Sequence, residues 1–208
     1  MHRLSAVALL TVLAASPVVA QVGAPVSIVN ANVATEAQLA AVPGFTPAIV
    51  KAVIAARPFA RQSAFDAFLA PHLGEAARMA AYAKVFVQID LNDFTNAEVL
   101  MIPGAGARMV REFNEYKPYR ALAEWHREID KYVDDAELAR LEQYVFVKID
   151  LNTATDEQIL SIPGIGARFL REFKEYRPYK AMAQFEREMG KYVDAKEVAR
   201  MARYVDVK

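Results

Sequence analysis

A fixed period of 60 residues runs through this chain without an insertion. Pro43-Gly44, Pro103-Gly104 and Pro163-Gly164 mark one place in three successive repeats; Arg57-Pro58-Phe59, Lys117-Pro118-Tyr119 and Arg177-Pro178-Tyr179 mark another. The stretch from Val85 to Asn92 returns, with one change, from Val145 to Asn152. Cutting before Val29, Ile89 and Ile149 gives units 29–88, 89–148 and 149–208, of which the second and third agree at 34 of 60 positions. The first is more divergent. A gapless repeat of this length implies one compact structural unit used three times.

Each unit reads as helical. Thr35, Thr95 and Thr155 stand three residues before Gln38, Glu98 and Gln158. That spacing lets hydroxyl and Glu/Gln satisfy opposite free backbone donors at a helix start. In the third unit a short helix runs to about Ile162, where Pro163-Gly164 breaks it. A second helix runs from near Gly166 to about Tyr176, with Phe169, Leu170, Phe173 and Tyr176 on one face. Pro178 stops it, because the residue before a proline avoids helical angles. A third helix is expected over 181–189 and a fourth over 194–203, with Asp194 as its cap. The segment 204–208 reads as extended, and its counterparts 84–92 and 144–152 link the units. Those links are apolar and contain no Gly, which predicts a rigid rod of three units. Phe59, Tyr119 and Tyr179 are expected in the core rather than exposed for stacking on a base, as are Trp125 and its counterparts Phe65 and Phe185.

Hydrophobic residues make up 54% of the chain and charged ones 24%, enough for a packed core. There is no Cys, which excludes disulfides and thiolate-bound zinc. The opening residues read as a signal peptide, with Arg3, an apolar run from Leu4 to Ala15, a break at Pro17 and small side chains to Ala20. Cleavage after Ala20 is expected; the alternative, an uncleaved anchor, is disfavoured by the shortness of the run. Residues 21–28 are then a linker, the product is periplasmic or secreted, and no later stretch is apolar enough to span a membrane. Losing Arg3 leaves 24 basic residues against 25 acidic ones.

Leu151-Asn152-Thr153-Ala154, followed by Ile162-Pro163-Gly164-Ile165-Gly166-Ala167-Arg168, resembles the helix-hairpin-helix domain of ComEA-type competence proteins. The likeness covers roughly 29–208 and is densest in the first half of each unit. It implies an all-α chain of three tandem SAM-like, (HhH)2-type modules joined by short extended links. It also implies an exported protein that binds double-stranded DNA without reading sequence.

The turn itself fits phosphate binding: glycine permits close backbone approach, and the second helix begins there with free amides and the positive end of its dipole. Candidate DNA-binding residues are Gly104, Ala105, Gly106, Ala107, Arg108 and Arg111 in the second unit. Their counterparts in the third are Gly164, Ile165, Gly166, Ala167, Arg168 and Arg171. A basic stripe of Arg168, Arg171, Lys174, Arg177 and Lys180 could extend the contact, with Arg108, Arg111, Lys117 and Arg120 as the weaker copy; the alternative is a solvated helix face holding pairs such as Arg171–Glu175.

The first unit departs from this pattern. It reads Pro43-Gly44-Phe45-Thr46-Pro47-Ala48, with no second glycine, a proline that removes a donor, and no arginine. The second turn of each unit is also degenerate, keeping one Gly in Leu73-Gly74-Glu75 and Met189-Gly190-Lys191 and none in Ile129-Asp130-Lys131. The units hold 5 basic against 3 acidic residues, 8 against 12, and 11 against 10, so there is no strongly basic surface. The alternative to DNA is therefore an unidentified protein partner, in a scaffold role like that of PsbU-type photosystem subunits, which the first unit's turn loosely resembles. His72 and His126 lack aligned partners, so no metal set, catalytic triad or cofactor site is expected, and no enzymatic activity. Oligomeric state stays open.

Overall fold

The computed structural model describes residues 28–208; the expected signal peptide, 1–20, and residues 21–27 of the expected linker lie outside them. Each repeat is a two-residue strand, four helices and a second two-residue strand. The first comprises β1 (Val29–Asn30), α1 (Glu36–Ala40), α2 (Pro47–Ala56), α3 (Gln62–Leu69), α4 (Glu75–Ala81) and β2 (Val85–Phe86). The second comprises β3 (Ile89–Asp90), α5 (Asn96–Leu100), α6 (Ala107–Glu115), α7 (Leu122–Ile129), α8 (Asp135–Glu142) and β4 (Val145–Phe146). The third comprises β5 (Ile149–Asp150), α9 (Asp156–Leu160), α10 (Ala167–Glu175), α11 (Met182–Met189), α12 (Ala195–Ala202) and β6 (Val205–Asp206). The fold is mostly helical, and no helix among the described residues is long and apolar enough to cross a membrane.

The capping residues start the helices as their spacing predicts. Thr35, Thr95 and Thr155 each complete a reciprocal box with Gln38, Glu98 and Gln158. Asp134 and Asp194 cap α8 and α12 by accepting from the amides of Glu137 and Glu197.

The extended segments do more than link. β1 pairs in parallel with β2, β3 with β4 and β5 with β6, so the two ends of each repeat are bonded to each other. A second closure lies just beyond. The Asn32 amide donates to the carbonyl of Phe59 (2.9 Å) and accepts from its N–H (2.7 Å). Asn92 does the same to Tyr119, and Asn152 to Tyr179. Each clamped residue follows a cis Xaa-Pro bond at the end of the second helix. Phe59, Tyr119 and Tyr179 are thereby buried at 6%, 2% and 2% exposure, in the core rather than free to stack. Trp125, Phe65 and Phe185 are also fully buried.

Two cores form. One runs without interruption through the first two repeats, from Ile28 to Val147; the other belongs to the third. The last strand of each of the first two repeats delivers a phenylalanine to the next. Phe86 meets Tyr144 edge-on at 4.9 Å, and Phe146 meets Tyr204 at 4.5 Å and joins the third core. The third repeat has Asp206 at the corresponding position.

The expected rod does not form. The chain turns back so that the first and third repeats touch: Asn30 donates to the Tyr204 hydroxyl (3.1 Å), and Arg203 donates to the Gln88 carbonyl (3.0 Å). The first two repeats are further joined by Glu98, only 2% exposed, which receives Arg61 (2.9 Å) and the hydroxyl of Ser63 (2.9 Å) while completing the α5 cap. Burial alone would raise the Glu98 carboxyl, but the bonds from Arg61, Thr95 and Ser63 outweigh it and bring it down from 4.5 to about 2.

Two outcomes follow. Replacing Asn32 with Ala strands the buried N–H and C=O of Phe59 and is expected to cost about 2–3 kcal/mol in urea unfolding; at the exposed Asn92, where water can substitute, the same change costs less. Because the folded-state pKa of Glu98 is depressed, its contribution is complete above about pH 4.5 and is lost as pH falls toward 2. Glu98→Gln is expected to remove roughly 2–3 kcal/mol at neutral pH and to flatten the acid limb of a stability–pH curve.

Candidate functional site

The turn between the first and second helices is built alike in all three repeats. Gly44, Gly104 and Gly164 hold positive φ of 82°, 82° and 81°, a conformation in which an L side chain is strained. The next amide then bonds back to the carbonyl two residues past the short helix: Phe45 to Val42 (3.1 Å), Ala105 to Ile102 (2.9 Å) and Ile165 to Ile162 (3.0 Å).

The repeats part at the second helix's first turn. In the first, Thr46 caps α2 by accepting from the Ile49 amide (3.3 Å), and Pro47 has no N–H to offer. That end is closed by its own side chain. In the second and third, Gly106 and Gly166 occupy the cap with no side-chain bond to the first-turn amides of α6 and α10. Their φ values of −119° and −120° suit any residue, and a Cβ placed on either meets nothing within 4 Å. The fold therefore needs Gly104 and Gly164 for backbone shape, whereas Gly106 and Gly166 leave open space outside an uncapped helix end.

Among the candidate residues, Gly104, Gly106, Ala107, Arg108 and Arg111 are exposed, as are Gly164, Gly166, Ala167, Arg168 and Arg171. Ala105 is half-buried, and Ile165 turns its side chain into the core, so its backbone is what faces the turn. The two copies are not equally open. The third repeat's turn abuts the first repeat: a Cβ on Gly164 would stand 2.9 Å from a Val33 methyl and 3.2 Å from the buried Arg200 guanidinium, which also donates to the Pro163 carbonyl.

The basic stripe is interrupted. Arg177 turns inward to donate to the Ala154 carbonyl (2.8 Å), and Lys117 lies over the Phe94 ring at 3.2 Å, where desolvation lowers its pKa. Lys174 meets Asp156 (2.6 Å). Arg111 pairs with Glu112 (2.9 Å), while the expected Arg171–Glu175 pair does not form among the described residues.

Sequence reasoning missed a cluster that joins the two halves of a repeat. Arg108 lies 5.0 Å from the centre of the Tyr132 ring, and Tyr132, in the turn between α7 and α8, shares a 2.8 Å hydroxyl–hydroxyl bond with Tyr116. The third repeat repeats this: Arg168 lies 5.6 Å from the Tyr192 ring, and Tyr192 bonds Tyr176 at 2.7 Å. Burial would raise the Glu112 carboxyl, but Arg111 and Tyr132 hold it below its usual range. The Tyr132 phenol is pushed up by Tyr116 and Glu112, and the Tyr192 phenol by Glu172 and Tyr176. The available signal was positional: both tyrosines recur at the 60-residue period in two repeats and become Ala56 and His72 in the first. Leu100 and Leu160, just before the turn, are exposed at 46% and 45%.

His126 lies 3.2 Å from Glu142, and no group of three metal-ligating side chains occurs among the described residues. Comparison with protein-family models, with curated proteins and with solved structures gave no match for this chain.

The two glycines of a turn should respond oppositely to a methyl group. Gly104→Ala forces positive φ on alanine against Arg140 and is expected to cost about 1–2 kcal/mol. Gly106→Ala is expected to stay within about 0.5 kcal/mol of the parent. Thermal denaturation of both variants checks the contrast.

Proposed function

We propose that this chain is an exported, non-enzymatic binding protein that holds double-stranded DNA by its backbone, through helix-hairpin-helix turns in the second and third repeats. The observation that carries the reading is the contrast at the second helix. Gly106 and Gly166 leave the α6 and α10 amides uncapped beside exposed Arg108 and Arg168, whereas Thr46 and Pro47 close the same place in the first repeat. An uncapped helix start offers oriented N–H donors and the positive end of the dipole to an anion. A guanidinium alongside adds a charge-assisted contact. Contacts of this kind fix a protein on a duplex without reading bases. The likeness to ComEA-type domains supports the same reading, with the first repeat serving packing.

A protein-binding scaffold is the second reading. It is favoured by the near-neutral charge, by Leu100 and Leu160, and by the first repeat lying against the Gly164 turn. Neither reading requires a cofactor.

Fluorescence anisotropy of the full chain with a labelled duplex across a salt series separates them. Backbone binding gives an affinity that falls linearly on a log–log plot, with a slope of about −2 to −4 for two turns that each neutralise one or two phosphates. Arg108→Glu with Arg168→Glu is expected to lower affinity at least about tenfold. Absence of binding at low salt overturns the DNA reading in favour of a protein partner.

A further inference from the structure

Five positions change together between the closed and the open turns. Where the second repeat has Arg108, Glu112, Tyr116, Lys131 and Tyr132, the third has Arg168, Glu172, Tyr176, Lys191 and Tyr192. The first has Ala48, Ala52, Ala56, Pro71 and His72. Every charged or phenolic member of the cluster is missing from the one repeat whose second helix caps itself with Thr46. Closing a repeat does not need the cluster, because the first repeat has the same four helices, strand pair and asparagine clamp without it.

The geometry states what the cluster does. An exposed arginine samples many rotamers, and fixing it for a ligand costs entropy at the moment of binding. Arg108 and Arg168 are each placed over a tyrosine face belonging to the other half of the repeat. That tyrosine is fixed in turn by its hydroxyl bond to Tyr116 or Tyr176, which caps the C-terminal end of the second helix that carries the arginine. Lys131 and Lys191 cover the outer face of this assembly, 5.2 Å and 4.9 Å from the Tyr116 and Tyr176 rings. The turn after α7 has no glycine and that after α11 keeps only Gly190, and Asp134 and Asp194 cap the helices that follow; what this turn supplies is the shelf.

We propose that Tyr132 and Tyr192 are positioning residues of the anion site, each holding the arginine that follows the Gly-x-Gly turn beside the uncapped helix start. The inference rests on the DNA-backbone reading for its ligand but not for its geometry, so two measurements on the full chain are paired. The first needs no ligand. Proton NMR of the arginine δ-methylene groups is expected to show ring-current shifts for Arg108 and Arg168. In Tyr132→Leu/Tyr192→Leu the Arg108 shift vanishes and the Arg168 shift weakens, because the Phe169 ring also lies 5.7 Å from that guanidinium; both keep most of their shift in Tyr132→Phe/Tyr192→Phe, which retain the ring and lose only the hydroxyl bond. Unshifted arginine signals in the parent overturn the proposal, whatever the protein binds.

The second is affinity for the labelled duplex. The double leucine variant is expected to bind about fivefold more weakly, two exposed cation–π contacts being lost, and the double phenylalanine variant, which keeps the rings but loses their hydroxyl bonds, to fall between it and the parent. In an Arg108→Ala/Arg168→Ala background, removing the tyrosine rings is expected to have no further effect. A full additional loss in that background, or parental affinity in the leucine variant, overturns the positioning role. Shifted arginine signals together with no effect of Arg108→Ala/Arg168→Ala on affinity sink the DNA reading at these turns and leave the tyrosine geometry standing.

Discussion

In each repeat an asparagine two residues past the opening strand bonds in both directions to the backbone that follows the second helix. This side chain converts a string of short helices into a closed unit. α1, α5 and α9 have five residues each, too few to persist by their own hydrogen bonds. They are held because the segment before them is pinned twice, by the parallel strand pair and by the asparagine. The residue clamped is also the aromatic that fills the space beneath the helices, so one amide sets both chain path and packing. Nearby contacts vary around it. Arg57 and Arg177 reach carbonyls of the lead-in (Ala31 and Ala34, and Ala154), while Lys117 lies over Phe94, the ring that replaces Ala34 and Ala154. The asparagine geometry is the same in all three.

A constant frame leaves the repeats free to differ at the rim. The first spends its second-helix start on an internal cap and contributes its lead-in, Asn30 to Val33, to contacts with the third. The second and third keep that start open and carry an arginine, two tyrosines and a lysine along the second helix and the turn facing it. One contact between successive repeats also recurs at a single position. Phe86 and Phe146 each insert toward the following repeat, and Asp206 stands where a third insertion would be. Burial raises the Asp206 carboxyl, with Lys208 opposing and Asp150 adding to the effect.

Much of the frame was legible in the chain because it depends on near neighbours. The Thr–Gln/Glu boxes, the Pro-Gly break, the Asp194 cap and the burial of Phe59, Tyr119, Tyr179 and Trp125 all follow from spacing or from recurrence at 60 residues. The candidate turns were equally legible, since a glycine pair next to an arginine is a local pattern. Their unequal surroundings were not. That Val33 crowds Gly164, that Arg177 faces inward and that Arg108 rests on Tyr132 depend on groups 23 to 131 positions apart.

The sequence by itself determined the repeat, the helical content, the cap residues and the location of the turns, because these obey short-range backbone sterics and hydrogen bonding. Only the tertiary structure decided how the repeats sit on one another. Apolar links without glycine imply rigidity, and rigidity is compatible with a rod or with a chain that turns back. The choice was made by Phe86 on Tyr144, Phe146 on Tyr204, Glu98 between Arg61 and Ser63, and Asn30 on the Tyr204 hydroxyl. Each couples residues distant in the chain, and its geometry is fixed only when both partners are already held by their own repeats.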